Sequence, residues 1–169
     1  MKKEEITMRN PRVLYLTNAA VIAALYIILT FLANSFGLAN YAVQVRFSEA
    51  LTVLPYFTPA AIPGLFAGCI LSNLLTGCVP LDVIFGSLAT LLGALGTYAL
   101  RRYKWLAPLP PVLANTLIVP YVLAYVYHFE GSILYFRLTV GAGEVISCGI
   151  LGMILLFSLE KYKGHPGRG

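Results

Sequence analysis

A few ionisable side chains lie inside or beside long apolar stretches of the sequence, and these residues could do chemistry. They are Arg46, Glu49, Asp82, Arg137 and Glu144. An ionisable group inside a membrane span costs roughly 2.5–3.5 kcal/mol on insertion scales, so it marks a functional site by default. Uncharged polar residues in the same stretches could hydrogen-bond beside them, namely Asn34, Gln44, Asn73, Asn115 and Tyr121.

The composition indicates that these side chains are held by a membrane-embedded protein. Of 169 residues, 59% are hydrophobic and 11% are charged, whereas a soluble domain has about 45–50% apolar and about 25% charged residues. A water-soluble globule and a disordered chain are therefore both excluded. Six spans of roughly 20 residues use about 120 positions and leave about 49 for tails and loops.

The apolar runs, and the proline, glycine and polar residues that separate them, predict an all-α integral membrane protein with six transmembrane helices. Residues 1–12 form an N-terminal tail, residues 13–160 a single transmembrane domain whose first span is retained rather than cleaved, and residues 161–169 a C-terminal tail. The second helix, with about 11 residues and two charges, is short for a full span. The predicted helices cover 13–33, 46–56, 58–75, 82–100, 108–127 and 134–159.

The basic residues predict the orientation. Six spans place both termini and the connections after spans two and four on one side, and ten of the twelve basic residues lie there. Arg46 and Arg137 are the two exceptions. Because cytoplasmic segments carry the excess of Lys and Arg, we expect both termini in the cytoplasm. The net charge of +5 is thus read as membrane orientation rather than as nucleic-acid binding.

This order of spans brings the polar side chains to the outer half of the membrane, which predicts a pocket open to the exterior. Each residue also has a structural alternative. Arg46 and Glu49 can pair on one helix face, Asp82 can cap a helix, and Arg137 can extend to the interface. Asn73 and Asn115 can hydrogen-bond between helices. Capping cannot explain Glu144, which follows the small residues 141–143 deep in the last span.

Small residues on the first span indicate close helix contact. Two overlapping small-xxx-small pairs lie near its cytoplasmic end, and a similar pair, Gly64 and Gly68, lies in the third span. Such pairs let another helix approach closely, either within this protein or in a partner membrane protein. The small residues that form these pairs in the first span are Ala19, Ala20, Ala23 and Ala24.

The sequence offers no catalytic or metal-binding motif. Its three cysteines form no CxxC pair, and it contains no HExxH, GxSxG or GxxxxGK[ST]. We therefore expect no enzyme activity, no metal and no cofactor, and any active uptake must take its energy from a partner.

Long collinear stretches resemble the QueT family of substrate-binding S components from energy-coupling factor (ECF) transporters. The similarity covers nearly the whole chain from the first helix onward. The stretches are VRFSEALTVLPYFTPAAIPGLFAGCILSNLLTG (45–77), LDVIFGSLATLLGALGTY (81–98), LAPLPPVLANTLIV (106–119) and VGAGEVISCGILG (140–152).

The resemblance implies a six-helix S-component fold in a bacterial plasma membrane. It implies capture of a queuosine precursor or salvage base, such as queuine or another 7-deazaguanine. It also implies an ABC-type importer with a transmembrane coupling subunit (T component) and two cytoplasmic ATPases, the first-span alanines docking the coupling subunit. The alternatives are an S component for another vitamin-like ligand and a membrane assembly protein without transport.

A deazaguanine would use the polar residues of the outer half. Its N1 and 2-amino donors suit a carboxylate, for which the candidates are Glu49, Glu144 and Asp82. Its O6 acceptor suits Arg46, Asn115 or Asn73, and its flat ring suits stacking on Phe47, Tyr41 or Tyr121. The segment 34–45, which contains Asn34 and Gln44, would be a lid ordered by the ligand.

Overall fold

Apolar runs bounded by proline, glycine and polar residues become the helices of this protein. The computed structural model describes residues 10–38, 45–128 and 130–163, and that part of the chain contains helices and no strands. The helices are α1 (Pro11–Ser35), a 3₁₀ helix (Phe47–Tyr56), α2 (Ala61–Leu75), α3 (Pro80–Ala99), a short 3₁₀ turn (Lys104–Leu106), α4 (Leu109–Tyr125), α5 (Ile133–Glu144), a π-helical segment (Val145–Leu151) and α6 (Gly152–Lys163).

The helices confirm the predicted all-α class, with two local differences. Phe47–Tyr56 is a 3₁₀ helix and contains Pro55, and the last predicted helix is interrupted by the π-helical segment between α5 and α6. Four helical stretches are long and apolar enough to cross a membrane: Pro11–Ser35, Pro80–Ala99, Lys104–Tyr125 and Ile133–Tyr162. The protein is therefore a multi-pass membrane protein, and the six-span count stays a prediction.

Local residue chemistry explains where the helices begin and end. Asn10 caps α1, because its side chain accepts a hydrogen bond from the Arg12 amide, and Pro11 occupies the first turn. Gly77 follows α2 with a φ of 76°, a left-handed conformation that favours glycine. Pro80 then opens α3.

Helices α1 and α2 approach each other closely through small residues. A Cβ added to Gly64 would lie 2.7 Å from the Ala19 carbonyl oxygen, and one added to Gly68 would lie 3.0 Å from that of Ala23. This contact holds α2 against α1 along two helical turns. Ala20 and Ala24, by contrast, are exposed.

The 3₁₀ helix runs antiparallel to α1 toward the end of the bundle where α1 begins, here called the amino end. The Tyr15 hydroxyl donates to the Pro59 carbonyl at 3.4 Å just after this helix. Tyr56 donates to Glu160 at 3.1 Å, and Glu160 also pairs with Lys104 at 3.4 Å. Chain segments before α2, before α4 and within α6 thus meet at the amino end.

The bundle has an apolar exterior, and its interior holds polar side chains among the apolar ones. Leu113, Leu117 and Leu138 are 50–66% exposed, as suits side chains that face lipid. Thirteen polar or charged residues are buried among the described residues, including Glu49, Asp82 and Glu144. The interior charges must therefore be satisfied by one another or by a ligand.

Candidate functional site

The centre of the site is Glu49, which lies in the first turn of the 3₁₀ helix and is 1% exposed. The Tyr26 hydroxyl of α1 donates to its Oε1, and the Asn115 amide of α4 approaches its Oε2 at 3.5 Å. Two helices therefore supply donors to one carboxylate. A buried carboxylate needs such donors, because burial without them costs several kcal/mol.

A second carboxylate, Glu144, lies beside Glu49. It is the last residue of α5, directly before the π-helical segment, and it is buried. The Cys148 thiol donates to its Oε2 at 3.1 Å. A single-turn widening of a helix is frequent at functional sites, and here it puts Glu144 and Cys148 on the same interior surface.

Ligand atoms of Glu49, Glu144 and Cys148 all lie within 4.8 Å of one another. These three residues are here called the acid cluster. Such a set could hold a metal ion, which would require a Cys148 thiolate. The thiol instead donates to Glu144, and it also lies 3.5 Å from the Glu49 carbonyl. In that protonated arrangement the acid cluster presents carboxylate oxygens suited to N–H donors.

A second polar group lies toward the opposite end of the bundle, here called the far end, where α4 meets α5. The Tyr127 hydroxyl donates to Asp82 Oδ2 at 2.8 Å. A Cβ on Gly86 would lie 3.3 Å from the Asn73 amide nitrogen and 3.6 Å from Asp82 Oδ1, so the two polar side chains converge over this glycine. Burial raises the pKa of Tyr127, which follows α4, and its hydrogen bond and charge interaction with Asp82 raise it further.

Arg46 connects the two polar groups electrostatically. It immediately precedes the 3₁₀ helix, and its backbone amide donates to Ser147 Oγ at 3.1 Å. Its positive charge interacts with Glu49 and with Asp82. No carboxylate lies within 4 Å of the guanidinium among the described residues, where Lys104–Glu160 is the ion pair found. Arg46 is thus near two acids without being closely paired to either.

The structure brings some of the sequence-predicted residues together and separates others. Glu49, Glu144 and Asn115 meet, and Asp82 and Asn73 form the neighbouring group. Phe47 is half-buried at the start of the 3₁₀ helix, and Asn34 is half-buried near the end of α1.

Other predicted residues lie apart from this site or outside the described residues. Tyr121 lies on the exposed face of α4, where its hydroxyl accepts from Arg137. Of the predicted lid, residues 39–44 fall outside the described part, including Tyr41 and Gln44. The flanks of that segment meet, because the Val45 amide donates to the Leu38 carbonyl at 3.2 Å.

Tyr26 and Cys148 contact the carboxylates and were missed by the sequence-based site prediction. Tyr26 is part of an uninterrupted apolar run and is 1% exposed. A tyrosine in the middle of a span was the available signal, because its hydroxyl needs a partner there. For Cys148 the signal was its position four residues after Glu144, which is one helical turn.

Comparisons with known proteins identify the family of the chain. The family model described as QueT transporter matches residues 16–161, which is most of the chain. A Queuosine precursor transporter QueT from Lactococcus lactis subsp. cremoris (strain MG1363) is 33% identical over 98 residues, and this alignment covers 57% of each chain. No solved structure gives a significant match. Because the family match extends from within α1 into α6 and covers most of the chain, the chain belongs to the QueT transporter family.

Proposed function

We propose that this protein is the membrane-embedded substrate-binding component of an importer for a queuosine precursor or a related 7-deazaguanine base. The observation that carries the proposal is the buried acid cluster, in which two carboxylates and a thiol lie within 4.8 Å of one another. Two carboxylates at this separation repel each other when both are charged. A ligand rich in N–H donors relieves that repulsion.

The chemistry of a 7-deazaguanine fits two nearby acids. Its N1–H and 2-amino group present parallel donors to one carboxylate. We assign this edge to Glu49, because Tyr26 and Asn115 hold its carboxylate from two helices. Glu144 then accepts from a second donor of the ligand, and a cationic amine tail suits it best. Arg46, whose charge acts near Glu49, is our candidate donor to O6.

Ligand-induced stabilisation of the purified full chain tests the assignment. A ligand at 100 times its Kd adds about 2.7 kcal/mol to the free energy of unfolding. We expect queuine or one of its 7-deazaguanine precursors to raise the Tm, and guanine and unrelated vitamins to raise it less. No shift with any deazaguanine contradicts the substrate assignment. A shift with an unrelated vitamin favours an S component for another ligand.

Three matched glutamate variants test the site. Glu49→Gln and Glu144→Gln each replace a carboxyl group of the acid cluster with an amide, and Glu160→Gln does the same in the Lys104 pair at the amino end. A hydrogen bond to a charged group contributes about 1.5–3 kcal/mol, so we expect a roughly 10- to 100-fold weaker Kd for the first two. Unchanged affinity in both, or equal loss in Glu160→Gln, contradicts the site.

We further propose that the exposed pair Ala20 and Ala24 docks a transmembrane coupling subunit, which joins the protein to two ATPase subunits. Ala19 and Ala23 are already used against Gly64 and Gly68. The exposed pair remains a smooth surface on which another helix can pack. Both termini are cytoplasmic in this proposal, so the ATPases act on the side of the basic residues.

Co-purification of the complex tests the docking surface. Ala20→Leu and Ala24→Leu place bulk on it, whereas Asn18→Leu adds bulk to another exposed face of α1. We expect the two alanine variants to lose the coupling subunit while they keep ligand-induced stabilisation. An intact complex in both alanine variants contradicts the docking proposal.

A further inference from the structure

Arg137 carries a positive charge that the acids of the described chain do not neutralise. The ion pair found among the described residues is Lys104–Glu160, at the other end of the bundle. The guanidinium Nη2 donates to the Tyr121 hydroxyl at 2.8 Å, and its Nε is buried without an acceptor. Residues 39–44 and 129, which are not described, contain no acid. The cation therefore has unused donors and no acid of the described residues within 4 Å.

The surroundings of Arg137 are those of a membrane boundary. Arg137 is the fifth residue of α5 and Tyr121 is four residues before the end of α4, so each lies roughly 6–7 Å along its helix from the far end. That depth matches the headgroup layer, which adds about 5–7 Å to each side of the hydrocarbon core. Leu134 and Leu138, which flank Arg137 on α5, are 67% and 66% exposed. Lipid is thus the expected neighbour.

Two aromatic rings complete this surface. The Arg137 Cζ atom lies 5.5 Å from the centroid of the Tyr121 ring, and the Tyr121 and Tyr125 rings stack with centroids 6.2 Å apart and an angle of 7° between planes. The cation–π contact and the hydrogen bond to Tyr121 fix the guanidinium in one orientation. Exposed tyrosine rings at this depth are typical of membrane interfaces. The cation is consequently held in place rather than free to extend into water.

We propose that Arg137, Tyr121 and Tyr125 form a binding site for the phosphate headgroup of an anionic phospholipid. A guanidinium presents paired N–H donors that match two phosphate oxygens, and the phosphate supplies the missing counter-charge. The tyrosine rings pack against the glycerol region of the same lipid. The site lies on the exposed face of α4 and α5 and is separate from the acid cluster, so the proposal does not depend on which substrate is carried.

Lipid retention by the purified full chain tests the proposal. Detergent-purified, delipidated protein is mixed with equal amounts of phosphatidylglycerol and phosphatidylcholine, and retained lipids are counted by native mass spectrometry. We expect Arg137→Gln to retain one phosphatidylglycerol fewer than the unmodified protein. Arg101→Gln is the matched control, because the Arg101 Cζ atom also lies over a tyrosine ring, 4.3 Å from the centroid of Tyr98. We expect this variant to retain as many phosphatidylglycerol molecules as the unmodified protein.

The other outcomes overturn the proposal. Equal retention by Arg137→Gln and the unmodified protein, or equal loss in Arg101→Gln, contradicts a specific lipid site at Arg137. Displacement of the retained lipid by excess inorganic phosphate shows that the ligand is the free ion. If Arg137→Gln does not fold, Tyr121→Phe decides, because it keeps the charge and removes the hydroxyl that orients it. Unchanged retention in Tyr121→Phe then contradicts the site.

Discussion

The hydroxyl of Tyr26 is a direct hydrogen-bond partner of the buried Glu49 carboxylate. It donates to a carboxylate that is 1% exposed. Removal of one partner from a buried polar pair costs about 1–3 kcal/mol, because the other partner loses its compensation. We therefore expect Tyr26→Phe to lower the free energy of unfolding by that amount and to weaken ligand binding.

Thermal unfolding with and without ligand measures both effects. Tyr162→Phe is the control, since Tyr162 is 87% exposed and its hydroxyl can reach water. An equal loss of Tm in the two variants would mean that the hydrogen bond to Glu49 contributes nothing specific.

Substitution of Cys148 can show whether the acid cluster binds an organic ligand or a metal ion. Its thiol donates to Glu144 at 3.1 Å, and a serine hydroxyl can do the same. We expect Cys148→Ser to lose less than about 1.5 kcal/mol of ligand binding free energy, the contribution of one hydrogen bond. Ligand binding should also survive a chelator. Abolished binding in Cys148→Ser together with loss on chelation would establish a metal requirement and reject direct recognition of N–H donors by the two acids.

At the scale of elements, the small residues between α1 and α2 position Tyr26. A Cβ on Gly68 would lie 2.8 Å from the Tyr26 Cβ, closer than packed carbon atoms approach. Overpacking of this kind costs about 1–3 kcal/mol. We expect Gly68→Ala to separate the helices, to lower the Tm and to weaken ligand binding by moving Tyr26 away from Glu49.

A glycine with room for a methyl group provides the control for Gly68→Ala. A Cβ on Gly149 would lie 3.7 Å from the nearest side-chain atom, in Val145, which is an ordinary contact. Gly149→Ala should therefore fold with little change in Tm. Tolerance of Gly68→Ala with unchanged ligand affinity would show that close approach of α1 and α2 does not position Tyr26.

Sequence patterning predicts well the helices whose length and apolar character are set by the thickness of the membrane. Long apolar runs place α1, α3 and α4 within a few residues of their observed bounds. The 3₁₀ form of Phe47–Tyr56 and the π-helical segment after Glu144 depend on packing, and apolar periodicity carries no signal for either. The cost of burying a charge selected Glu49 and Glu144 as candidates, and the structure places them side by side. Tyr26 was missed because hydropathy scores it with the apolar residues around it.

At the scale of the whole molecule, the short 3₁₀ helix and the short α2 are compatible with two membrane topologies. The 3₁₀ helix has 10 residues and α2 has 15, which correspond to about 20 Å and about 22 Å along their axes. Both are shorter than the roughly 30 Å hydrocarbon core. Either each crosses the membrane, or the two form a re-entrant hairpin that enters and leaves on one side. Both arrangements put the two termini on the same side.

The hydrogen bond from Tyr15 to Pro59 favours full crossing, since it brings the turn between the two elements to the amino end of α1. Cysteine labelling in intact cells tests this at four exposed positions, on a background that lacks Cys78 and keeps the buried Cys69 and Cys148. We expect an impermeant maleimide to label Glu130→Cys, and to label Asn10→Cys, Pro59→Cys and Lys161→Cys only after permeabilisation. Absence of labelling at Pro59→Cys after permeabilisation, under conditions that label Lys161→Cys, would favour the re-entrant hairpin, whose turn stays inside the membrane. Labelling of Lys161→Cys in intact cells would reverse the orientation and place the docking surface of Ala20 and Ala24 on the side away from any ATPase.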